Sequence, residues 1–263
     1  MKTMMKLIAL ILILSMAVCV FAGCSEDEAD ADSAYVQGKG KLVVGITDFA
    51  PMDYLENGEW VGFDADMAKA FAASLGVEVE FVEIVWETKT MELNDKNIDC
   101  VWNGMTLTDA VKNAMETSNA YCNNAQVVVV KSDAAAQYQD IDSIRGLNFV
   151  VEAGSAGAEQ LDALGIPYIE ADSQADALME VAAGTSEACV IDLLMAGAMI
   201  GEGTSYTNLT YTVALNSEEY GVGFRKGSDL AAKLNDFFAS AYEDGSMIAI
   251  AETYGVQESL IEQ

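Results

Sequence analysis

VGFDADMAKAFAASLGVEVEFVE, residues 61–83, decides the fold. Met67, Ala70, Phe71 and Ser74 lie on one stripe of a helix spanning 65–75, with Asp64 placed to cap it and Gly76 to end it. The apolar period then shortens to two, and 77–85 (VEVEFVEIV) reads as a strand. Upstream, LVVGIT (42–47) is a β-rich run; downstream come a helix near 88–95 and the strand-like IDCVW (98–102). Strands alternating with helices predict an α/β fold whose mostly parallel sheet is covered on both faces.

A second series follows a break in composition. QVVVVK (126–131) is β-branched and leads into the small, polar SDAAAQ, a candidate crossover between lobes. Then come LNFVVEAG (147–154), a helix from about Ala156 to Leu164, PYIEAD (167–172), a helix over 174–183 ended by Gly184, and EACVID (187–192). EYGVGFRK (219–226) is another strand-like run, and Leu230, Leu234, Phe237 and Ala241 mark a terminal helix. Two α/β lobes fit the length, and no tandem repeat is present.

The N-terminus reads as a secretory signal: Lys2 and Lys6, an uncharged apolar run over 7–20, then Phe21, Ala22, Gly23 and Cys24. That run falls short of the ~20 residues of a spanning helix, and an acidic stretch follows it with no basic stop-transfer flank. Ala22 and Gly23 before Cys24 resemble a bacterial lipobox, with Phe21 where leucine is usual; an ordinary signal with a chance cysteine is the alternative. Acylation of Cys24 would hold the protein at a membrane face. Residues 25–38 are small and acidic, without apolar periodicity, and read as an unordered tether.

The chain carries 13 basic and 42 acidic residues, and removal of 1–23 leaves 11 against 42, a formal charge of −31. Nucleic acid is not an expected partner; the charge implies a solvated surface first and a field favouring cationic solutes second. There is no histidine and no CxxC, which excludes the common zinc sites and any Ser-His or Cys-His pair; no metal or cofactor is expected. Cys100, Cys122 and Cys189 leave at least one thiol unpaired, with core packing the default role for Cys100 and Cys189.

Five segments, in order, carry a family resemblance. VGFDADMAKAFAASLGVEVEFVE (61–83), IDCVWNGMTLT (98–108), VVEAGSAG (150–157), EACVID (187–192) and EYGVGFRKG (219–227) resemble the amino-acid-type extracellular solute-binding proteins, family 3, of ABC uptake transporters, over roughly 41–255. The resemblance implies a two-lobed, type II periplasmic-binding-protein-like fold joined by two crossover strands. It divides the chain into a signal peptide (1–23), lipidated Cys24 with an acidic tether (24–40), lobe one (41–128 plus 223–263) and lobe two (129–222). It also implies a monomer, membrane-anchored outside the cytoplasm, that delivers a small solute to an ABC permease by hinge closure.

Carried over position by position, the resemblance nominates Phe49 and Trp86 as rings beside the ligand, with plain hydrophobic packing as the alternative for each. Asn103, Gly104, Met105 and Thr106 form a strand-end turn offering a backbone carbonyl and a hydroxyl, the alternative being a mere strand-to-helix turn. Gly154, Ser155 and Ala156 open a helix whose N–H groups attract a carboxylate, although Ala156 lacks the hydroxyl usual in the family. Asp192 matches the acid that holds the ligand's ammonium; the alternative is an N-cap for the next helix. Val111 is the largest departure, standing where family members place an arginine that grips the ligand's carboxylate. Lys112 is one residue on and points elsewhere on a helix, so Lys89 or Lys112 would have to compensate.

Two binding functions remain open from the residues: capture of an amino acid, or of a carboxylate-free amine, the latter suggested by Val111 with Asp48, Asp53 and Asp192. A sensory or degenerate domain without a transport ligand is a further alternative. An enzyme is not expected, since no locally spaced Asp/Glu pair suggests acid–base chemistry.

Overall fold

The computed structural model describes residues 31–263, so the expected signal peptide and Cys24 lie outside the described residues. Two five-stranded sheets form the two lobes. The first runs, in spatial order, Glu78–Glu83, Lys41–Ile46, Cys100–Val101, Gly223–Phe224 and Glu116–Thr117. Its first three strands are parallel, with Val44 opposite both Phe81 and Cys100, and the late strand Gly223–Phe224 inserts antiparallel. The second runs Tyr168–Ala171, Phe149–Glu152, Ala188–Asp192, Gln126–Lys131 and Leu209–Ala214. Leu42 to Ile46 and Gln126 to Val130 are buried throughout, as inner strands covered on both faces require.

Helix Phe63–Ser74 turns Phe63, Met67 and Phe71 into the first core. Its N-cap is Gly62 at φ 126°, where a Cβ would lie 2.1 Å from the Met52 carbonyl oxygen. Asp64, expected as the cap, instead lies buried inside the first turn and accepts from Gly104 N and Tyr121 Oη, both at 2.7 Å. The chain crosses between lobes as an antiparallel pair, Cys122–Asn124 against Glu218–Tyr220. Gln126–Lys131, expected at the crossing, belongs to the second sheet, where Val127 faces Ile191 and Val128 faces Val190. Lobe two therefore begins before 129: a run of valines identifies a strand, but its partners decide the sheet.

Residues 32–39 correct the tether expectation. Asp32–Lys39 is a helix ended by Gly40 in the left-handed region. Val36 enters the first core, Ser33 donates through N and Oγ to Asp229, and Arg225 Nε donates to Asp32 at 3.1 Å. A composition reading counts only what a segment can bury by itself; these partners come from the far end of the chain. Cys100, Cys122 and Cys189 are free, buried thiols, one in each sheet and one in the crossing pair, and burial raises the pKa of all three. No helix among the described residues is long and apolar enough to cross a membrane.

Candidate functional site

A cleft lies between the lobes, at the C-terminal ends of their parallel strands, where open α/β sheets place ligands. Phe49, Trp86, Asn103, Gly104, Met105, Thr106 and Val111 line it from lobe one, and Gly154, Ser155, Ala156 and Asp192 from lobe two. The eleven residues nominated from sequence thus line one space.

On the first wall, Asn103 acts as a brace. Its Oδ1 accepts from Thr47 N (3.0 Å) and Oγ1 (2.7 Å), and its Nδ2 donates to Thr47 O (3.0 Å) and Asp53 Oδ2 (2.8 Å). That commitment fixes the turn whose next residue, Gly104, has φ 54°; a Cβ there would lie 2.3 Å from Phe49 Cε1. Phe49 in turn packs edge-on against Tyr220, with ring centroids 6.4 Å apart. Thr106 Oγ1 donates to Glu218 Oε1 at 2.9 Å. Val111, 8% exposed, packs in an apolar cluster with Trp86, Met105 and Met115. Of the two lysines offered as compensation, Lys89 lines the cleft and Lys112 does not. Lys89 Nζ sits 4.6 Å from the Trp86 ring centroid and donates to Trp86 O (3.2 Å) and, across the cleft, to Gly154 O (3.1 Å). Desolvation lowers its pKa against the pull of Glu152, Glu159 and Glu87.

On the second wall, Ser155 caps helix Ala156–Leu164, its Oγ accepting from Ala158 N at 3.2 Å. Asp192 occupies an N-cap position, yet its side chain makes no cap bond. Oδ1 instead accepts from Asn124 Nδ2 (2.5 Å), Gln126 Nε2 (3.0 Å) and Tyr220 Oη (2.6 Å), and Oδ2 from Gln174 Nε2 (2.5 Å). Burial first, then Glu218, raises its pKa to about 7, against the hydrogen bonds from Tyr220 and Gln174. Asn124 and Gln126 each also donate to Glu218 Oε1 at 2.7 Å, so the two acids share donors at the crossing.

Sequence reasoning missed Glu152 and Gln174, and Thr47, Thr108 and Glu159 also line the cleft. Glu152 is 3% exposed, and desolvation, followed by Asp192, raises its pKa to about 8 despite Lys89 and Gln174. Its signal was legible: an acid ending a buried valine-rich strand, two residues before a glycine turn. Gln174 gave no such sign, because the first position of a helix is an ordinary place for a polar residue. Asp48 and Asp53, expected along the cleft, do not line it; Asp48 is exposed and Asp53 is fully buried beneath Asn103. Among the described residues no cluster of three His, Cys, Asp or Glu side chains is placed to hold a metal.

Comparison with known proteins gives a consistent likeness. Residues 42–257 match the family described as bacterial extracellular solute-binding proteins, family 3. The arginine-binding extracellular protein ArtP of Bacillus subtilis is 26% identical over 246 residues, 90% of this chain and 94% of its own length. A mutant of ArgBP from T. maritima superposes with a TM-score of 0.79 at 30% identity, covering 85% of this chain and 98% of that one. A Streptococcus pneumoniae ABC uptake binding protein with bound histidine gives 0.78 at 26%, covering 86% and 96%.

Proposed function

Because the chain belongs to the bacterial extracellular solute-binding proteins, family 3, a family of binding proteins rather than enzymes, we propose that its cleft captures an amino acid or related small amine-bearing solute for an ABC permease. The observation that carries this reading is the cleft itself, to which each lobe contributes ligand-facing groups around the buried carboxylate of Asp192. A solute touching both walls is bound better when the lobes are together, and that difference drives closure. Asp192 receives the solute's ammonium, Phe49 and Trp86 flank its body, and Lys89 closes over it. The signal-like N-terminus and Cys24 support a protein held by acyl chains at the outer face of the cell membrane, handing solute to the permease there.

Native mass spectrometry of freshly purified protein, with a thermal-shift screen of amino acids and amines, tests the reading. The expected result is a retained or stabilising solute whose effect is lost in Asp192→Asn. No stabilisation across the whole panel would defeat it.

A further inference from the structure

We infer that the solute this cleft takes is an amine lacking an α-carboxylate, with its ammonium held between Asp192 and Glu152. This rests on the solute-capture reading above and narrows it.

A solute carboxylate finds no opposite charge waiting for it. Among the described residues Lys89 is the one cation lining the cleft, and its Nζ already serves the Trp86 and Gly154 carbonyls and the Trp86 ring. The two arginines, Arg145 and Arg225, lie elsewhere. Val111 presents methyl groups to the same space, inside an apolar cluster. At the helix start facing the cleft, Ser155 Oγ takes Ala158 N, and the acid Glu159 in the first turn offsets the helix dipole, so the N–H groups of Ala156 and Gly157 offer neutral donors without a full counter-charge.

The anionic side is over-supplied. Glu152 and Asp192, 3% and 4% exposed, face the space together, with Glu159 at the rim. Gln174 bonds Asp192 through both amide atoms and lines the same space as Glu152. No cationic nitrogen stands within 4.0 Å of either carboxylate among the described residues. A zwitterion would bring no net charge to this pair and would set its own carboxylate against it. A carboxylate-free amine brings the missing positive charge and no carboxylate to oppose the pair. The raised pKa values of both acids, caused by burial first and a neighbouring acid second, agree with this geometry. Phe49 and Trp86 supply aromatic surface for the carbon chain of the solute.

Matched pairs differing only in the carboxylate test this on the full mature chain: arginine and agmatine, ornithine and putrescine, histidine and histamine, tyrosine and tyramine. In the pair giving the largest thermal shift, calorimetry should show the amine binding more than about tenfold tighter than its amino acid. Glu152→Gln should weaken that amine by about tenfold or more, and Val111→Arg should move preference toward the amino acid. An amino acid binding as tightly as its amine would overturn this inference while leaving solute capture standing. No shift from any member of any pair would overturn this inference, and silence across the whole amino-acid and amine panel would overturn both.

Discussion

Buried carboxyls set the pH behaviour of this protein. Glu152 is raised to about 8, Asp64 and Asp192 to about 7, and Asp53 well above its usual range, with desolvation the first cause in all four. A carboxyl raised by folding adds stability that is complete below its unfolded range of about 4 and is lost as pH climbs through the folded value. Asp140, Asp229 and Asp244 shift the opposite way, but from below their ordinary value, and so act only in stronger acid. The thermal midpoint of ligand-free protein should therefore be higher at pH 5.5 than at pH 8.5; calorimetry giving the reverse order would contradict these assignments. Phe49, Gly104, Gly154 and Asp192 were legible in sequence because each stands just after or at the end of a recognisable strand. The roles of Asp53 and Asp64 were not, since a carboxylate braced by Asn103 or Tyr121 leaves no local pattern.

At the scale of elements, helix Asp32–Lys39 is held by long-range partners, Asp229 and Arg225 among them. Arg225, 8% exposed, bonds Asp32, approaches Asp99 at 3.4 Å, and donates to the Leu93 and Ile98 carbonyls. Lys39 meets the same Asp99 at 2.6 Å. Arg225→Met should cost about 3 kcal/mol or more in urea unfolding, because it leaves a buried acid and two carbonyls short of partners. The alternating strands and helices were readable because period and turn residues are local. The helix over 32–39 was not, as its stability resides in residues nearly two hundred positions away, and neither was the sheet that Gln126–Lys131 joins.

Across the whole molecule, the lobes touch where Gly154 meets Glu87. Gly154 has φ 66°, and a Cβ there would lie 3.0 Å from Glu87 Cα, a backbone atom of the opposite lobe. Gly154→Ala should add strain of about 1–2 kcal/mol and hold the walls apart. Its expected signature is weaker solute binding, with less contraction in small-angle scattering on adding solute than wild type shows. Asp192 is bonded by Asn124 on one crossing strand and Tyr220 on the other, so the group proposed to receive the solute also touches both hinge strands. The strand Gly223–Phe224 lies between Cys100–Val101 and Glu116–Thr117, whereas all five strands of the other sheet fall within 126–214. Synthesis therefore delivers the halves out of order: the one begun first waits with a gap for its late insert, while the one begun second can close on itself. A nascent chain halted after Ala214 would own one finished sheet and one split sheet with bare edges, the form that most needs a chaperone.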